Sequence, residues 1–236
     1  MPLPAHLTHR HGELHFEDVS LERLAREHGT PLFVYSRAAM LQSLAAYQRG
    51  LAGRSHLICY AMKANSSLAI LQTLVNAGCG LDIVSGGELE RALAAGCAPE
   101  RIVFSGVGKT RAEMRRALDA GIGCFNVESR GELDVLDEVA RSMGRRARVS
   151  IRVNPDVDAK THPYISTGLK DNKFGIAHGE VLLTYRHAAA CAGLEVVGID
   201  CHIGSQITEA APYLDAMDHV LDLVAAIEVD GLRLHH

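Results

Sequence analysis

From about residue 30 onward the chain alternates between two textures. Short runs rich in β-branched and aromatic residues occur at 56–64 (HLICYAMKA), 80–85 (GLDIVS), 101–106 (RIVFSG), 124–129 (CFNVES), 147–154 (ARVSIRVN) and 194–204 (LEVVGIDCHIG). These runs are almost continuously apolar rather than strictly alternating, which predicts strands covered on both faces of a parallel sheet. Between them lie Ala-, Leu-, Arg- and Glu-rich segments of helical period, for example 85–96, 110–121 and 130–144. Several of these end in Gly, the residue that most easily takes the left-handed turn closing a helix. The chain is therefore predicted to be an α/β protein built from repeated βα units.

Unit spacing alone fits both a closed barrel and a doubly wound sheet. The placement of polar residues favours the barrel. Lys63, Asp82, Ser105, Glu128, Arg152 and His202 each fall at or near the C-terminal end of a predicted strand. In a (β/α)8 barrel of the TIM type those ends converge on one mouth, whereas a doubly wound sheet gathers its chemistry at a single switch point. Only six complete units are visible, and GLRLHH at 231–236 resembles the opening of a seventh strand. A barrel needs eight, so the expectation is a barrel truncated within about its seventh strand. The one long irregular segment, 154–175, follows the fifth predicted strand and is expected to lie over the mouth.

Composition narrows the setting. The 236 residues suffice for a substantial core, and a net charge of −4 with scattered charges offers no stripe for nucleic acid. The six cysteines, Cys59, Cys79, Cys97, Cys124, Cys191 and Cys201, are widely spaced without a C-x-x-C pair. Free thiols in apolar runs fit a reducing, cytoplasmic setting. No secretory leader or membrane-length apolar run is apparent, so the expected partner is a small molecule.

The motifs are weak when taken one at a time. YAMKAN (60–65) ends an apolar strand on Lys63, where low-dielectric packing would favour a neutral, nucleophilic amine. A lysine at a strand end is nevertheless more often a solvent-facing residue. CHIGSQ (201–206) offers the His202 ring for stacking, with Gly204 and Ser205 for close approach to a phosphate. By itself it is more often a core histidine before a turn. FSGVGKT (104–110) fails the phosphate-loop pattern, because Val103 stands where the first Gly belongs. The thirteen histidines show neither H-E-x-x-H nor His/Cys pairing at zinc spacing, so no metal site is expected.

Together these stretches resemble the alanine-racemase-like (fold-type III) pyridoxal-phosphate decarboxylases, from about residue 30 to the last. The specific pieces are YAMKANSS (60–67), GLDIVSGGEL (80–89), FSGVGKT (104–110), RVNPDVDAKTHPYISTGLKDNKFG (152–175) and GIDCHIGSQI (198–207). The resemblance implies that Lys63 carries pyridoxal 5′-phosphate as a Schiff base and that His202 stacks on its ring. It implies phosphate contact for Ser205, polar support from Asp82, Glu88 and Arg152, and a supporting role for Lys173. DAKTHPYISTG points to the branch that converts meso-2,6-diaminopimelate to L-lysine and carbon dioxide. Ornithine, arginine or carboxylated-polyamine decarboxylases share the lysine, KFG and HxGS pieces, and a noncatalytic pyridoxal-phosphate binder could keep Lys63. The resemblance further implies a homodimer with shared active sites. Residues 1–34 would pack with a C-terminal β-domain absent from this chain, and 35–236 would form the incomplete cofactor-binding barrel. The glycine-rich phosphate loop, the acidic partner of the pyridine nitrogen and the substrate-binding residues would all lie beyond residue 236, leaving these residues alone inactive.

Overall fold

The computed structural model describes residues 6–155 and 174–236. Lys173 and most of the long 154–175 segment lie outside the described residues. The chain opens with an antiparallel meander of β1 (Leu7–Arg10), β2 (Glu13–Phe16) and β3 (Val19–Ser20). The two-residue link His11-Gly12 has positive φ at both positions, 52° and 84°, the primed hairpin turn that matches strand twist. Helix α1 (Leu21–His28) and helix α2 (Arg37–Gly50) follow, each with a serine side chain, Ser20 or Ser36, accepting the backbone N–H three residues on.

The remainder alternates strand and helix: β4 (Cys59–Ala61), α3 (Leu68–Asn76), β5 (Gly80–Ile83), α4 (Gly86–Ala94), β6 (Ile102–Phe104), α5 (Arg111–Ala120), β7 (Cys124–Val127), α6 (Arg130–Ser142), β8 (Ala147–Val153), α7 (Val181–Ala190), β9 (Leu194–Cys201) and α8 (Ala211–Val229). Strands β4 to β9 form one sheet, parallel throughout and ordered in space as in sequence. A doubly wound sheet reverses its order at a switch point, and no reversal occurs here. Crossovers between parallel neighbours are right-handed almost without exception, and in unbroken order such crossovers keep successive helices on one face, as barrel winding does. All six predicted strands are present. Closure is not reached among the described residues: β4 pairs with β5 alone, and no regular strand covers 231–236. That terminal segment nonetheless pairs with β9, His235 N–H donating to the Val197 carbonyl at 2.7 Å and Ile199 N–H to the His236 carbonyl at 3.0 Å.

Strand pleat sorts the side chains. Leu81, Ile83, Ile102, Phe104, Phe125, Val127, Val149, Ile151 and Val153 stand on one face, almost fully buried against helix residues such as Leu89, Met114, Leu133 and Tyr185. In-register neighbours share a face, so Asp82 pairs with Val103, Asn126 with Ser150, and Arg152 with Asp200 on the other. Large apolar groups fill the layer beneath the helices, while the opposite face keeps polar and smaller groups.

Gly175 shows how tightly one connection is drawn. Its φ is +80°, and a Cβ there would meet Asn154 Oδ1 at 3.0 Å and the Arg152 carbonyl at 3.1 Å. Gly175→Ala is expected to cost about 1–2 kcal/mol from the left-handed backbone alone, read as a lower urea midpoint. An unchanged midpoint would show that this turn relaxes freely.

Candidate active site

The polar sheet face opens at the strand C-termini into a cleft of about 360 Å³, whose walls include Lys63, Asp82, Ser105, Asn126, Glu128, Arg152, Asp200 and His202. Lys63 sits in a 3-10 turn, Met62–Ala64, directly after β4. The turn is anchored on both sides: Met62 is buried, and the Asn65 side chain accepts the Ser67 N–H at 2.9 Å. The Tyr60 hydroxyl also donates to the Asn65 carbonyl, at 3.3 Å. The expectation of a lysine enclosed in apolar packing needs correcting. Lys63 is exposed, because the turn lifts it beyond the strand end onto the lip of the cleft.

Below it lies a linked set of polar groups. Ser105 Oγ donates to Asp82 Oδ1 at 2.6 Å, and Asn126 Nδ2 donates to Ser105 Oγ at 3.2 Å. Burial pushes the Asp82 carboxyl above its usual range, opposed by the Ser105 bond and the Lys63 charge. Across the cleft Arg152 Nη1 donates to Glu128 Oε2 at 3.0 Å, a pair only 12% and 3% exposed. The Phe174 ring packs 5.7 Å from the Arg152 guanidinium. His202 is held below its ordinary pKa by burial, then by the Arg152 and Lys63 charges, so its ring is neutral near pH 7.

Asp200 is the most perturbed acid of the cleft. Burial pushes it up to about 6, with Arg152 opposing and Asp82 and Glu128 reinforcing. A carboxyl whose folded pKa exceeds its unfolded value binds more protons in the folded state, so stability falls as pH rises through the interval from about 4 to about 6. Asp200→Asn removes that loss and is expected to gain roughly 2–3 kcal/mol at pH 7.5 and little at pH 3.5. Urea unfolding of the cofactor-free protein at both pH values checks this. An equal effect at the two would refute it.

Of the residues expected from the sequence, Lys63, Asp82, Arg152 and His202 meet at the cleft. Glu88 and Ser205 are not among its walls. The Glu88 carboxylate instead accepts the Val84 N–H at 2.6 Å, while Ser85 Oγ accepts the Glu88 N–H, so the pair braces the start of α4. Ser205 is exposed beyond the end of β9. Asn126 and Asp200 were not anticipated. The signal that could have found them is the two-residue pleat, since each stands two positions before a recognised strand-end residue, Glu128 or His202.

Lys109 explains why FSGVGKT is no phosphate loop. Its side chain is 0% exposed, and Nζ donates to the Gly106 and Asn126 carbonyls at 2.6 and 2.7 Å and to Glu132 Oε1 at 2.6 Å. It is a buried cross-link from the turn after β6 to strand β7 and the first turn of α6. A His/Cys pair does stand away from the cleft, in the helical layer. His187 and Cys191 stand four residues apart at the end of α7, and Asp134 of α6 meets them.

Residues 37–236 match the pyridoxal-binding domain of the pyridoxal-dependent decarboxylases, and the chain belongs to that family. Its cofactor is pyridoxal phosphate. Within the family the chain is 56% identical to diaminopimelate decarboxylase of Pseudomonas aeruginosa, over 97% of this chain and 55% of that protein. Diaminopimelate decarboxylase of Helicobacter pylori, solved with L-lysine, superposes with a TM-score of 0.87 at 46% identity, covering 90% of this chain and 54% of that one. The M. jannaschii enzyme, also solved with L-lysine, gives 0.89 at 36% identity over 98% and 55%. The chain spans about half the length of the curated relatives it matches.

The residues present fit the cofactor. A cleft of about 360 Å³ lies within the range for small ligands, and it sets an amine at its lip over a neutral ring and a guanidinium. Arg152 Nε is buried with no hydrogen-bond partner among the described residues, which leaves a donor to spare. Among the described residues no helix is long and apolar enough to cross a membrane.

Proposed function

We propose that the whole protein decarboxylates meso-2,6-diaminopimelate to L-lysine, with Lys63 holding the cofactor aldehyde. The observation that supports this reading is an exposed lysine at a strand end, poised over a cleft whose polar walls are already hydrogen-bonded into place. When bound, pyridoxal phosphate supplies an electron sink for the pair left behind as carbon dioxide departs. The chain's own residues supply position. The Lys63 amine would hold the cofactor at the lip of the cleft, where an incoming amino acid enters. The neutral His202 ring offers a flat surface for stacking without a competing positive charge. Asp82, fixed by Ser105, sets a carboxylate opposite Lys63, and Glu128 holds the Arg152 guanidinium in one orientation.

In this reading residues 35–236 are the larger part of a barrel completed by chain beyond residue 236, and residues 1–34 pack with a further β-domain. The protein is a cytoplasmic homodimer whose partner subunit completes the site. The diaminopimelate branch is favoured over ornithine or arginine decarboxylation by the L-lysine bound in two diaminopimelate decarboxylase relatives and by identities of 56% and 46%.

Borohydride reduction of the cofactor-loaded full-length protein, followed by peptide mapping, tests the anchor. Label is expected on the peptide containing Lys63, and label on another lysine overturns the assignment. Side-by-side turnover tests the substrate: carbon dioxide release is expected from meso-diaminopimelate well above that from ornithine or arginine. The reverse order would move the protein to another branch.

A further inference from the structure

Away from the cleft, three different metal-binding groups converge on the helical layer. Asp134 projects from α6, His187 lies in the last turn of α7, and Cys191 caps that helix. His187 Nε2 lies 2.6 Å from Asp134 Oδ1 and 4.0 Å from Cys191 Sγ, and one ligand atom from each residue falls within 4.8 Å of the others. Residues four apart on a helix face the same way, so the imidazole and thiol form a natural pair of teeth.

We propose that Asp134, His187 and Cys191 bind one divalent transition ion of the zinc class, joining α6 to α7 and leaving one position for water. Tetrahedral zinc with bonds of about 2.0–2.3 Å sets its ligand atoms roughly 3.3–3.6 Å apart. The present separations bracket that spacing, and small rotations of side chains 41% and 57% exposed, those of His187 and Asp134, reach it. The frame around them is already tied. Arg130 of α6 donates to Thr184 of α7 at 3.0 Å, and the Gly193 N–H, just past Cys191, donates to Asp137 of α6 at 2.7 Å. The ligands therefore come from elements held together without the ion.

The local field suits a cation. Asp134 and Asp137 place two carboxylates near the Cys191 thiol, with Arg141 the opposing cation. Arg141 is itself paired to Asp137 at 2.8 Å, which blunts its repulsion. Carboxylates beside a thiol attract a metal ion, and binding of the ion displaces the thiol proton. A mixed S, N, O donor set favours zinc or cobalt over magnesium or calcium.

Zinc binding to the full-length protein, measured by equilibrium dialysis, tests this directly. Wild type is expected to bind one more equivalent than either Cys191→Ser or His187→Ala, with affinity at that site lost by at least roughly tenfold in each variant. Titration with Co²⁺ is expected to add a thiolate-to-cobalt band in the difference spectrum, absent from Cys191→Ser. Should one variant fail to fold, the other makes the same comparison. Equal zinc equivalents in wild type and variants, or a cobalt spectrum unchanged by Cys191→Ser, overturns the proposal. Neither readout depends on the decarboxylase activity.

Discussion

Lys63→Ala is expected to lower kcat of the full-length protein with meso-diaminopimelate by on the order of 10³-fold or more, since the group lost reacts covalently. The side chain is exposed on a short turn, so fold stability is expected to hold within about 0.5 kcal/mol. The distinguishing readout is cofactor retention. Wild type should keep its cofactor through gel filtration after borohydride treatment, and Lys63→Ala should lose it. Addition of a small primary amine should restore part of the turnover in the variant, because an external amine can replace the missing nucleophile. A Lys63→Ala protein that keeps reduced cofactor and near-normal kcat would remove Lys63 from the chemistry altogether.

The second large effect concerns stability. Lys109→Met removes the cation from a site where Lys109 is 0% and Glu132 10% exposed, leaving a nearly buried carboxylate with no countercharge. Breaking one half of such a pair typically costs 3–5 kcal/mol, so a loss of about 4 kcal/mol is expected. Two backbone carbonyls, of Gly106 and Asn126, also lose their donor. The double variant Lys109→Met with Glu132→Gln should recover a substantial part, because the stranded charge is then gone. Urea midpoints of the single and double variants decide it, and a single variant within about 1 kcal/mol of wild type contradicts the cross-link. The effect should also reach the cleft. Glu132 Oε2 accepts the Glu128 N–H at 3.0 Å, and Glu128 in turn holds Arg152. Loosening Lys109 is therefore expected to raise KM as well as to destabilise.

The strand runs were legible because parallel strands covered on both faces need nearly continuous apolar residues, and each of the six predicted runs contains one of β4 to β9. Helix starts were legible for an equally local reason. Ser85, Thr110 and Ser129 each stand three residues before a Glu, and each side chain accepts that Glu's backbone N–H. The same local motif made Glu88 ambiguous. A Glu three residues after a Ser can brace a helix or reach into a cleft, and only its bond to the Val84 N–H decides between them. Lys109 was ambiguous in the same way, since a Gly-Lys-Thr string does not say whether its lysine meets a phosphate or a buried glutamate.

By itself, then, the sequence determined the alternation of elements, their boundaries within a few residues, and the strand-end positions of Lys63, Asp82, Arg152 and His202. These follow from short-range rules: pleat, helical period, caps and the residues allowed at a turn. The tertiary structure decided what depends on groups distant along the chain. It set the unreversed strand order, exposed Lys63 rather than enclosing it, and added Asn126 and Asp200 to the cleft. It paired Arg152 with Glu128, 24 residues away, and brought Asp134 against His187, 53 residues away. Partners so far apart in sequence leave no local trace, because their meeting is fixed by how whole strands and helices pack.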